Sequence, residues 1–236
     1  LQFIELWPAF CFWVLQRGKV ETTEGEMMRK AENAIPFLRL SSNARKRMFV
    51  FALALTLGIA IVLAVIGRPL TTSEAPNGIV SFEFAGSAAN AQRILDSWGR
   101  IGVWAAVRQT WIDFLYIPAY ALTLALACGL SVFGWNKRGR GWAWFGVALA
   151  WGAFAAGALD VVENVAMLIQ LNSGTNDSLA SLARNCAIPK FVLILFSMIY
   201  ALFGGALAMT DRFVGEAKKI VRVWSDNANQ KNANGD

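Results

Sequence analysis

Four stretches of the chain are apolar over the length of a bilayer, with polar connections between them. Residues 48–67, MFVFALALTLGIAIVLAVIG, are uncharged and lie between Arg47 and Arg68. A helix over this run covers about 30 Å, the hydrocarbon thickness. Residues 191–210, FVLILFSMIYALFGGALAMT, form an equally clean run between Lys190 and Asp211. The two middle runs carry charge. Residues 109–135 hold Asp113 and Pro118, and residues 141–171 hold Asp160, Glu163 and Asn164. Only the stretch from Asn136 to Arg140 separates them, so these two helices are antiparallel neighbours.

Between the first two runs, residues 68–108 are too polar to span. After the turn-like Pro76-Asn77-Gly78, helical spacing puts Ile94, Leu95, Trp98, Ile101 and Ala105 on one face and Arg93, Asp96 and Arg100 on another. That pattern predicts a helix lying on the outer membrane surface over 79–104, with a docking face for a partner as the alternative. The tail repeats the pattern: Phe213, Ala217, Ile220, Val221 and Trp224 oppose Lys218, Lys219 and Arg222, which suits a helix resting on anionic lipid. Its end, NANQKNANGD, reads as disordered.

The expected fold is therefore an all-α integral membrane protein, a four-transmembrane-helix bundle with amphipathic surface helices. Residues 1–47 form an N-terminal segment, 48–210 the bundle and 211–236 the tail. The opening LQFIELWPAFCFWVLQ is apolar but short, contains Glu5 and Pro8, and lacks the basic start of a signal peptide. An interfacial helix there and a true start at Met27 or Met28 fit it equally well.

Charge sets the expected orientation. Lys and Arg number six in 29–47, three in 136–140 and five in 211–236, against four in 68–108 and two in 172–190. The positive-inside rule then puts both termini in the cytoplasm, as in a bacterial inner-membrane protein. Trp98, Trp104 and Trp111 on one side, and Trp135, Trp142 and Trp144 on the other, match interfacial belts. Composition agrees: 56% hydrophobic and 16% charged, against about 45–50% and about 25% in soluble domains. The net charge of +6 is accounted for by the cytoplasmic flanks, and no nucleic-acid partner is expected. The expected partners are membrane lipids and other membrane-protein subunits.

The chain has no histidine, which excludes His-ligated haem, zinc sites built on His, and Ser-His-Asp or Cys-His nucleophiles. Cys11, Cys128 and Cys186 are far apart and form no CxxC pair. Phosphate-loop, dinucleotide, GxSxG and HExxH signatures are absent from the sequence. No cofactor or metal is expected. Asn176-Asp177-Ser178 is a formal glycosylation sequon, and Gly204-Gly205 reads as a packing notch.

The acids inside the spans carry the candidate chemistry, because a carboxylate at mid-bilayer costs about 2.5–3.5 kcal/mol on insertion scales and needs a partner. Asp113 lies about 35 Å of helix from Asn136, and Asp160 about 27 Å from Trp142, so the two antiparallel helices bring both to one outer layer. Asp113, Tyr116, Tyr120 and Thr123 share a stripe on the second span. Asp160, Glu163 and Asn164 share one on the third, continued by Gly157, Ala153, Ala150 and Gly146. Small residues permit close helix approach, so that stripe points the acids into the bundle. Arg108, Arg184 and Lys190 sit at the same level, and Glu83 lies above it. The candidate cluster is thus Asp113, Tyr116, Tyr120, Asp160, Glu163, Asn164, Glu83, Arg108 and Lys190.

An architectural cluster would pin the outer segment to the bundle through ion pairs; Asp113→Asn would then leave a basic partner unpaired. A functional cluster would bind a cation, a proton or a lipid headgroup. Three functions follow from these alternatives. The favoured one is a non-enzymatic subunit or accessory of a membrane complex. The second is an enzyme acting on a lipid or lipid-linked substrate through Asp113, Asp160 and Glu163. The third is a proton or small-cation transporter, for which the inner half looks too dry.

Overall fold

Helix α1, Ser42–Ile66, starts where the Ser41 hydroxyl accepts the Ala44 amide at 3.2 Å, one of the free donors at a helix start. A computed structural model describes residues 34, 37, 40–136 and 140–233 of this chain. After a 3-10 turn at Arg68–Leu70 come α2, Ile79–Glu83, and α3, Ala88–Asn136. Helices α4, Arg140–Ser173, and α5, Asp177–Ala233, complete the order. Among the described residues four helices, α1, α3, α4 and α5, are long and apolar enough to cross a membrane. The expectations for residues 1–28 and for Cys11 fall outside the described residues, as do residues 137–139 of the short middle connection.

Helices α3, α4 and α5 pack on one another, and α1 packs mainly on α3. On α1 only Ala52, Thr56 and Leu63 are buried, a single stripe. One polar contact of α1 is between the Thr56 and Thr123 hydroxyls, 2.9 Å apart, each hydroxyl also lying 2.8 Å from the carbonyl four residues earlier. On α4 the small residues are the packing face. Ala150 and Ala153 are fully buried, a Cβ on Gly157 would meet Ile117, and one on Gly146 would collide with the Tyr200 ring. Close approach on this stripe carries the acids that follow it into the helix interface.

The end of the bundle away from the tail, here the roof end, differs from the expected surface helix. Helix α3 begins 21 residues before the expected span and is broken at Gly99 (φ 58°, ψ −171°), a left-handed conformation that a side chain would strain. The arm before the break, Ala88–Trp98, turns its apolar face inward. Ala91, Ile94 and Trp98 pack with Leu70, Ala75, Phe82, Ala85 and Met167 into a dry layer. Trp98 is therefore no belt residue: its indole N–H donates to the Leu70 carbonyl at 2.7 Å. Two facing helices offer the same apolar surface that lipid does, so an amphipathic stripe alone does not separate the cases. Ile101, beyond the break, is exposed, as are Trp104 and Trp111.

Helix α5 also exceeds the expected run at both ends. Asn176, the sequon asparagine, accepts the Ser178 amide at 2.8 Å and so caps α5 fifteen residues before Phe191. The adjoining Asp177 accepts the Ala88 amide at 2.7 Å, tying the starts of α3 and α5 together. Downstream, α5 continues without interruption to Ala233, so the polar end expected to be disordered is helical over 227–233. No glycine or proline interrupts that stretch before Gly235. Phe213 and Trp224 of the tail stripe are exposed, while the side chains of Ile220 and Val221 fall outside the description. At the tail end of the bundle Trp135 stacks on Trp142 and on Tyr200, with ring centroids 4.7 and 5.6 Å apart. Its indole donates to the Tyr200 carbonyl.

Candidate functional site

Below the dry roof layer, α2, α3, α4 and α5 bring charged side chains to one point. Lys190 is thirteen residues into α5, and Asp160 thirteen residues before the end of α4, each about 20 Å from the roof end of its helix. Asp160 and Glu163 are three residues apart and so share a face of α4. Opposite them, the Lys190 ammonium donates to Asp160 Oδ1 at 3.0 Å, to Glu163 Oε1 at 2.9 Å and to Glu83 Oε2 at 3.4 Å. Glu163 Oε2 is 2.8 Å from the same nitrogen. The three N–H donors of the lysine thus meet three carboxylates carried by two elements. Lys190 is 4% exposed and Glu163 has no exposed surface.

Two further links extend the cluster onto α3. Tyr120 donates its hydroxyl to Asp160 Oδ2 at 2.8 Å, and Asn164 donates its amide to Asp113 Oδ2 at 2.7 Å. The Tyr116 ring packs against Tyr120 at 5.3 Å between centroids. Asp113 makes no ion pair among the described residues, which removes the basic partner that the sequence suggested for it. Beneath the ammonium, the Phe191 ring lies 4.7 Å from Lys190 Nζ, close enough for a cation–π contribution.

Arg108 is the one candidate that the structure separates from the rest. It is exposed, with its guanidinium 4.4 Å over the Trp104 ring. Arg184 lies against the backbone at Gly86. Lys190 therefore acts as the hub, a role hidden in the sequence because the apolar run begins just after it. The signal that places it within a helix is the cap at Asn176, which starts α5 early enough to bury it.

The cluster lies between two apolar layers. The roof layer covers one side, and on the other Ala125, Cys128, Leu149, Ala150, Ala153 and Tyr200 form the next core. The Cys128 thiol is used locally, donating to the Ser197 carbonyl at 3.5 Å. Chemically, the arrangement resembles a cation held by oxygen ligands, with the lysine ammonium as the cation. Among the described residues no three His, Cys, Asp or Glu side chains are spaced to hold a metal ion. Comparison with known family models, curated proteins and solved structures finds no match, so the meaning of this site rests on its own geometry.

Proposed function

We propose that this chain is an integral membrane protein acting as a non-enzymatic component of a larger membrane assembly. The Lys190 cluster is its internal tie rather than a reaction centre. The observation that carries this reading is that one ammonium, 4% exposed, occupies the centre of Glu83, Asp160 and Glu163. A general acid or base must reach a substrate proton, and here Asp160 and Glu163 spend their oxygens on Lys190 and Tyr120. A conduction path would have to continue through the alanine- and leucine-lined layer below. With the interior committed to architecture, the outward faces are left for partners. By the positive-inside rule the roof end is external, both termini are cytoplasmic, and the basic side of the tail meets anionic lipid.

Gentle detergent extraction from native membranes, followed by native mass spectrometry, tests this. A second polypeptide at constant stoichiometry is the expected result. A lone chain that turns over a lipid, or that carries a tightly held metal, would overturn the reading in favour of the lipid-enzyme alternative. For that alternative Asp113, without an ion pair among the described residues, is the carboxylate best placed to act.

A further inference from the structure

We infer that the segment from Gly78 to Gly86 is a hinged plug that closes the roof end over the Lys190 cluster and can lift away from it. This concerns access to the cluster and does not depend on what the chain assembles with. The segment is bracketed by Gly78 at φ 59° and Gly86 at φ 70°, left-handed positions where glycine alone moves freely between backbone wells. Between them lie the five-residue α2 and its apolar side chains. Hinges of moving segments are a few such residues absorbing the change in φ and ψ.

Phe82 and Glu83 reach furthest inward from the plug, whose margins are tied by the Asn77 amide donating to Ser81 Oγ at 3.1 Å and the Asn90 side-chain amide donating to the Ala85 carbonyl at 2.9 Å. Phe82 is buried against Trp98 with ring centroids 5.5 Å apart, and the neighbouring Glu83 reaches Lys190. Phe84 rests on the outside, stacked on Phe191 at 5.7 Å and partly exposed. The Glu83 tie is the weakest link of the cluster by geometry: 3.4 Å, against 3.0 Å to Asp160 and 2.8 Å to Glu163. It is also the surplus link by charge. One carboxylate already neutralises the ammonium, and α4 supplies two at shorter range, so the Lys190 pairing to α4 does not need Glu83. When Glu83 leaves, Lys190 keeps both α4 carboxylates and remains compensated. Asp160 and Glu163 hold the helices together, whereas Glu83 holds only the plug.

The chain carries its own reporter. Cys186 is buried one helical turn before Lys190 on α5, whereas Cys128 is buried in the separate layer below. A cationic, water-soluble thiosulfonate applied to the full-length protein in detergent, with peptide mapping by mass spectrometry, distinguishes the two thiols. Glu83→Gln should raise the labelling rate of Cys186 by about tenfold while Cys128 stays unlabelled, as local opening demands. Equal Cys186 rates in the variant and the parent, or a parallel rise at Cys128, would overturn the plug. Hydrogen exchange on the unmodified chain gives a second test that needs no variant. Amides of 79–85 should exchange faster than those of the buried arm at 91–98, and equal protection of the two would contradict the inference.

Discussion

The Lys190 ammonium lies 2.9 Å from one oxygen of Glu163 and 2.8 Å from the other, straddling a carboxylate with no exposed surface. The two residues come from antiparallel helices, α4 and α5, and meet between two apolar layers. Such a pair adds little net stability over an apolar pair of similar size, but removing one partner leaves a buried charge without compensation. This asymmetry gives the pair its structural weight and makes its effect measurable.

Asp113→Asn should be well tolerated, with a change in stability below about 1 kcal/mol, because the position has no ion pair to lose among the described residues. The sequence alone suggested a basic partner and a large penalty. A thermal melt in detergent distinguishes the two, and a loss of several kcal/mol would mean that Asp113 is bound into the charge network.

Tyr120→Phe removes the hydroxyl that donates to Asp160 and leaves the ring packing intact. The expected cost is about 1.5–3 kcal/mol, the range for a hydrogen bond to a charged group. A melt unchanged from the parent would place the Asp160 oxygen in contact with water.

Gly146→Leu should destabilise the bundle by about 1–3 kcal/mol or more, since any side chain there runs into the Tyr200 ring. Gly205→Ala, on α5 toward the tail and with open space around it, should be neutral or slightly stabilising through helix propensity. Parallel melts of the two variants check the close α4–α5 approach, and equal effects would contradict it.

Deleting residues 211–236 should leave the bundle's helical signal and melting intact, because the exposed Phe213, Lys218, Lys219 and Trp224 do not belong to its core. Binding of the tail to anionic vesicles should weaken as salt rises, with screening shortening to about 3 Å at 1 M. Salt-independent binding would remove the electrostatic part of that account.

The sequence displayed the four long helices and most of the cluster, for identifiable reasons. Asp160, Glu163 and Asn164 continue a stripe of small residues, so their inward placement follows from helical spacing. The short middle connection forces α3 and α4 side by side. Arg108 could have been set aside on the same grounds: five residues from Asp113 is about 140° around a helix, the opposite side. Lys190 was harder to place, because a run of hydropathy stops at a charge whether or not the helix does. The roof was not legible. A stripe such as Ile94 and Trp98 reads alike against lipid or against another helix, and what turns it inward is the break at Gly99 together with the seat that Leu70 and Phe82 provide.

The central claim, that Lys190 ties the bundle, is tested most directly by thermal melts of Lys190→Met, Glu163→Gln and the double variant. Lys190→Met should lower stability by about 3–5 kcal/mol, because Asp160 and Glu163 lose their cation in a dry site. Adding Glu163→Gln should recover part of that loss, since one uncompensated charge is removed with it. A Lys190→Met protein that melts like the parent, or a double variant whose losses simply add, would contradict the tie.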